Sequence, residues 1–241
     1  LSNALTRGGA DVVGAFTAMW EQWSKPEPTE DPSAQPSPAK EKVKKIVEGI
    51  AKDMEKVPQP EQKKAIIQER LGEAADALIS PESDAIPAPA RNGMSNGVAA
   101  ILNQTTKVAA AKQISDSVLG RDPDNKDALN NRAMSHFKLG SYRSAIADAD
   151  HAALLDPSDG RALTTRAMAH YQMKNYAQAL EDARRALAID PNNMLSFQIA
   201  RLSEGRVVRP SSLALDAAQK AQAEKIAKEY EGMLEQRNQA E

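Results

Sequence analysis

The residues of this chain best able to do chemistry are few. Asp148, Asp150 and His151 fall within four positions of one another, and carboxylates beside an imidazole are the ligand types that hold a divalent cation. Asp148, however, recurs 34 residues later as Asp182, whereas neither Asp150 nor His151 has such a counterpart downstream, so the cluster reads as a solvated helix face. His136 and His170 also stand 34 residues apart, in equivalent slots where a flat ring packs between helices, and a structural role is expected for both. There is no HExxH, no Gly-rich phosphate loop, no G-x-S-x-G and no cysteine nucleophile. The reading is therefore of no catalytic residue, no metal ligand and no cofactor.

The elements that position these residues repeat. Pro123, Pro157 and Pro191 each follow an aspartate, Asp122, Asp156 and Asp190, at a period of 34. Laid over one another without gaps, residues 126–159 and 160–193 agree at 13 of 34 positions. Chance at ordinary composition gives about two, so the repeat is real. Its shared residues suit paired helices: Ala133 with Ala145, and Ala167 with Ala179, supply the small side chains that a close crossing needs. Leu129, Leu163, Ile146, Leu180, Leu154 and Leu187 read as the buried stripe. Gly140-Ser141-Tyr142 and Asn175-Tyr176 lie where a turn must reverse the chain, and Gly and Asn tolerate left-handed backbone there. Each Asp-Pro ends a second helix, because proline lacks an amide hydrogen and disfavours helix at the preceding residue.

These slots resemble the tetratricopeptide repeat, whose pattern is W-x2-L-G-x2-Y, then A-x3-F, then P. Leu129 and Leu163 take the tryptophan slot, Arg132 and Arg166 the leucine slot, Ala133 and Ala167 the glycine slot, and His136 and His170 the tyrosine slot. Ala145, Ala179, Pro157 and Pro191 keep the pattern, while Ala149 and Ala183 replace the phenylalanine. A degenerate first copy spans 92–125, with Ala99, Ala111 and Pro123 in register, and a partial copy begins at Met194 and is broken at 205–212. The resemblance implies an all-α helical solenoid with two clear repeats, whose first helices line a concave groove. Carried onto this chain, the exposed groove positions are Asn130, Asn131, Met134, Phe137, Lys138, Arg161, Thr164, Thr165, Met168, Tyr171 and Gln172. Amides can bond an extended backbone, Met and aromatic rings adapt to apolar side chains, and Lys and Arg take carboxylates. A peptide or protein is thus the expected partner, and the chain is expected to be a non-enzymatic scaffold. Asn131 and Arg161 also fall where the chaperone-adaptor subfamily clamps a C-terminal carboxylate, but Thr165, Asn96 and Ala100 depart from that clamp.

Around the array the composition changes. Residues 211–241 carry Ala223, Ile226, Ala227, Tyr230, Met233 and Leu234 on one helical face and read as a capping helix. Residues 24–39 hold five prolines and no bulky apolar residue, the signature of a linker, and 81–91 reads as a second linker. Between the two linkers, 40–80 gives two amphipathic stretches turned at Val57-Pro-Gln-Pro60, a helical hairpin. Residues 1–23 place Val12, Val13, Phe16, Met19, Trp20 and Trp23 on one side of a short helix, expected to dock on the array or a second copy, with a membrane anchor as the competing reading. Net charge is −2, from 31 basic and 33 acidic residues, which gives no general attraction for nucleic acid. The start at Leu1 reads as a processed or truncated product, leaving a removed signal peptide, and with it an envelope assembly or secretion factor, as the alternative function. Compartment is open, with the cytoplasm slightly favoured, and oligomeric state is open.

Overall fold

A computed structural model describes residues 38–207, and all regular structure among them is helical. In chain order the helices are α1 (Pro38–Glu55), α2 (Pro60–Ile79), a 3-10 turn (Pro81–Ala85), α3 (Ala88–Leu102), α4 (Val108–Arg121), α5 (Lys126–Lys138), α6 (Tyr142–Leu155), α7 (Gly160–Gln172), α8 (Tyr176–Ile189) and α9 (Met194–Val207). Each helix packs on the next, and α3, α5, α7 and α9 also pack in sequence on one another, so α3/α4, α5/α6 and α7/α8 are stacked antiparallel pairs.

The repeat sets both ends of these helices. Asn125, Asp159 and Asn193, one period apart, precede α5, α7 and α9, and their side-chain oxygens accept from the backbone N–H of Ala128 (3.1 Å), Arg161 (3.0 Å) and Ser196 (3.0 Å). Such N-caps contribute about 1 kcal/mol each. The second helices end at Asp122, Asp156 and Asp190, which turn to extended backbone ahead of proline, at φ −139, −145 and −131. Ala133, Ala145, Ala167 and Ala179 are fully buried, as the crossings require.

Four sequence expectations are corrected. Residues 81–91 are not a separating linker: they form the 3-10 turn and the first turn of α3, with Ile86 buried. Hairpin and first repeat then share one core, in which Val43, Val47 and Ile50 of α1, Leu71 and Leu78 of α2, Val98, Ile101 and Leu102 of α3, and Ile114 of α4 belong to a single cluster. Leu154 is 81% exposed, because its register partner is the exposed Ala188, whereas Leu187 pairs with Ala153. The left-handed residue of the α7–α8 turn is Lys174, at φ 64, matching Gly140 at φ 77, and Asn175 keeps φ −83. Finally, Pro38 and Ala39 belong to α1, and α9 runs on to Val207. The expected N-terminal helix 1–23, the linker up to residue 37 and the capping segment 211–241 lie outside the described residues.

Candidate functional site

Successive first helices touch along their length, whereas α4, α6 and α8 meet mainly first helices and make at most marginal contact with one another. The row α3–α5–α7–α9 is therefore the tight, inner side of the stack. Its seams are polar and periodic. Asn96 donates to Asn125 Oδ1 (2.9 Å), Asn130 to Asp159 Oδ2 (2.8 Å), and Asn193 to Thr164 Oγ1 (3.0 Å). A second seam links α3 to α5: Asn131 donates to the Asn96 carbonyl (3.0 Å), Asn103 donates to the Asn131 carbonyl (2.8 Å), and the Ser135 hydroxyl reaches Asn103 Oδ1 (2.9 Å).

The eleven positions expected to be exposed divide accordingly. Asn130, Asn131, Thr164, Thr165 and Met168 are buried, Asn130 and Thr164 against the next repeat and Asn131 against the first helix before it. Arg161 is turned onto Asp127 and Asp159. Burial alone would raise the Asp159 pKa, but the hydrogen bond and charge of Arg161 hold it below the usual value. Lys138 lies at the surface with its ammonium on the Asn103 carbonyl, and lost hydration there lowers its pKa. Met134, Phe137 and Tyr171 are half-buried and Gln172 is exposed. Phe137 meets Tyr142 at 5.7 Å between ring centroids and Tyr171 meets Tyr176 at 5.4 Å, so the α5–α6 and α7–α8 turns each carry an aromatic pair. The base and asparagine that suggested a carboxylate clamp are thus already engaged within the fold.

The acidic-imidazole cluster resolves into separate pairs. Asp148 is 8% exposed and receives Arg132, correcting the expectation of a solvated face. Asp150 binds Arg166, and His151 Nε2 lies 2.9 Å from Asp124. Among the described residues no group of three metal-capable side chains converges. His136 and His170 sit partly buried between helices, and desolvation pushes both imidazoles below their ordinary pKa.

Residues 160–193 match the family model described as tetratricopeptide repeat, and residues 107–154 match a second model of the same description. Residues 107–193 carry tetratricopeptide repeats. A crystal structure at 2.39 Å of a tetratricopeptide repeat protein from Parabacteroides merdae ATCC 43184 is similar at 18% identity and a TM-score of 0.49, over 82% of this chain and 68% of that one. No curated protein matches the sequence. Arrays of tetratricopeptide repeats are protein-interaction scaffolds and are generally non-catalytic.

Within this tetratricopeptide array the sequence reading missed one device. Arg132, in the leucine slot, forks onto Asp148 through Nε (2.8 Å) and Nη2 (2.7 Å) and reaches back to Asp116 with Nη1 (3.2 Å). Arg166 does the same with Asp182 and Asp150. Asp116 and Asp150 share one slot, and Asp148 and Asp182 another. Each arginine therefore ties its own second helix to the second helix of the repeat before. The signal was present in the sequence: arginine and aspartate recurring together, 16 residues apart in both repeats.

Proposed function

We propose that the chain is a non-enzymatic scaffold that holds an extended segment of a protein partner along the row α3–α5–α7–α9. The observation that carries this reading is the periodic, already organised inner surface: a hydrogen-bonded amide floor beside the half-buried Ala100 and Met134 and the exposed Leu202. A surface fixed before binding loses little entropy when a guest arrives. The amide oxygens of Asn96 and Asn130 have no partner. Both oxygens are closed to solvent inside the seams, so they belong to the floor and not to the surface a guest touches. Because Arg161 and Lys138 are engaged internally, recognition rests on backbone hydrogen bonds and apolar side chains, not on a carboxylate clamp.

The test is partner capture from the native source by the full chain, with Met134→Glu and Leu202→Glu in the groove and Leu154→Glu as the control. Leu154 stands on a second helix with 81% exposure. Both groove variants are expected to lose the captured protein at unchanged melting temperature, and the control to keep it. Capture indifferent to both groove variants, or lost equally with Leu154→Glu, sinks the reading.

A further inference from the structure

The sequence holds two Asn-Gly pairs, Asn92-Gly93 and Asn96-Gly97, one helical turn apart in α3. In an open chain this is the most labile context for asparagine, because glycine, without a Cβ, lets its own backbone nitrogen reach the asparagine side-chain carbon. The nitrogen attacks Cγ, its proton ends on the ammonia that departs, and water opens the resulting succinimide to aspartate or isoaspartate. Inside α3 the same nitrogens are donors of the helix, bonded four residues back and held away from Cγ. Packing does not ask for glycine at 93, where an added Cβ would meet nothing within 4 Å. Gly93 therefore weakens the helix without improving its contacts.

The turn between α4 and α5 accepts asparagine there and not its product. Asn125 caps α5 by accepting from the Ala128 N–H (3.1 Å), which turns its amide nitrogen to Asp122 Oδ2 (2.9 Å). With Asn125 so oriented, the turn offers α3 only acceptors: Asn125 Oδ1 takes Asn96 Nδ2 (2.9 Å), and Asp122 Oδ2 takes Asn92 Nδ2 (3.3 Å). The Oδ1 atoms of Asn92 and Asn96 are closed to solvent and have no partner. A carboxylate at either position would bring no donor, and its charge would be buried against the Asn125 oxygen or the Asp122 carboxylate. Isoaspartate would also lengthen the backbone by a methylene and break the hydrogen-bond register of α3. We propose that Asn92 and Asn96 are masked deamidation sites: seating of α3 on this turn shuts the reaction off, an excursion of α3 into open chain starts it, and the product no longer fits its seat. An excursion that reacts is thus written permanently into the chain, and a molecule that has opened often loses the front of its array.

Trypsin cuts after Arg91 and Lys107, so one peptide, 92–107, carries both pairs together with Asn103, which precedes Gln104 and serves as the internal reference. The full chain is held in mildly alkaline buffer with and without denaturing guanidinium chloride, and the replacement of NH by O is followed by mass spectrometry. Asn92 and Asn96 should convert about a hundredfold more slowly in the native chain, in proportion to the time α3 spends open. Similar rates in both solvents overturn the inference. Gly93→Ala should fold as the parent does and slow Asn92 in denaturant while leaving Asn96 unchanged. An Asn92 that is not slowed shows that the reaction bypasses the Gly93 nitrogen, which also overturns it. Asn92→Asp and Asn96→Asp test the seat, and each should lower the folding equilibrium constant about tenfold in urea melts. Adding Asp122→Asn to Asn92→Asp supplies the missing donor and should recover most of that loss. Aspartate variants that melt like the parent show that the product seats as well as asparagine, and the inference falls. A loss that Asp122→Asn leaves unrelieved places the cost outside this turn and sinks it likewise.

Discussion

The guanidinium of Arg132 grips both carboxylate oxygens of Asp148, at 2.8 and 2.7 Å, across the crossing of α5 and α6. The hydrogen bond to Asp148, and then the charges of Asp148 and Asp116, raise the arginine pKa against a desolvation that would lower it. A slot that ordinarily holds leucine has become an ion pair, and an ion pair here tolerates loss of both partners better than loss of one. Arg132→Leu alone should cost about 2–4 kcal/mol, somewhat under the figure for a fully buried pair because the arginine keeps some solvent contact. Arg132→Leu with Asp148→Leu should recover most of it. Urea melts of the single and double variants decide the matter; additive losses would show that the pair is not coupled.

Lys174 occupies left-handed backbone at φ 64 in the slot where the preceding repeat uses Gly140 at φ 77. A side chain there costs about 1 kcal/mol. Lys174→Gly should therefore raise stability by up to about 1 kcal/mol, and Gly140→Ala should lower it by a similar amount. An equilibrium denaturation series in which both substitutions shift the midpoint the same way would contradict this account.

His136 and His170 give stability an acid limit. Burial lowers both from 6.5; His136 faces Asp148, Asp116, Lys112 and Arg132, and His170 faces Asp182, Asp150 and Arg166. Below about pH 6.5 the unfolded chain takes up protons that the folded chain resists, so stability falls as pH drops on the acid side of that value and is flat above it. Asp156, which the Lys126 and Ser158 hydrogen bonds hold down to about 2, releases its share only in much stronger acid. Urea midpoints at pH 7.5 and 5.0 should differ for the parent and converge for His136→Phe with His170→Phe. An unchanged difference in the double variant would assign the acid sensitivity elsewhere.

Asn131 donates to the Asn96 carbonyl at 3.0 Å from a side chain with 8% exposure. Asn131→Ala should cost about 1 kcal/mol of folding stability by removing that hydrogen bond, the Asn96 carbonyl keeping its partner within α3. A guest should bind the variant with affinity close to that of the parent. Calorimetric melting and partner titration measured side by side separate the two effects, and an unchanged melting temperature would return Asn131 to the exposed groove.

The helices were legible because proline and alanine act locally, through backbone geometry and close contact, and each recurs at 34. The groove was legible only as a face. Which of its residues reach solvent depends on how closely one first helix lies on the next, and that distance is not encoded in either helix alone. Asn130 and Thr165 look like polar surface residues until the neighbour arrives, while Leu154 looked buried because it was set against Leu187 and not against its true counterpart Ala188. The Arg–Asp pairs were hidden for a related reason: a charged residue in a hydrophobic slot makes sense only with its partner, which lies on another helix.

The core shared by the hairpin and the first repeat is built from large aliphatic side chains, whereas the clusters around α5–α9 are mainly alanine, with Leu129, Leu180 and Leu187 among the few larger members. Each buried isoleucine or leucine contributes about 1.5–3 kcal/mol and an alanine far less. Amide protons should therefore exchange with deuterium along a gradient, slowest in α2 and α3 and fastest in α9. The thick front would act as ballast for a thin array, leaving the far helices free to breathe at small free-energy cost, and a guest that settles there would register as slowed exchange confined to the last helices.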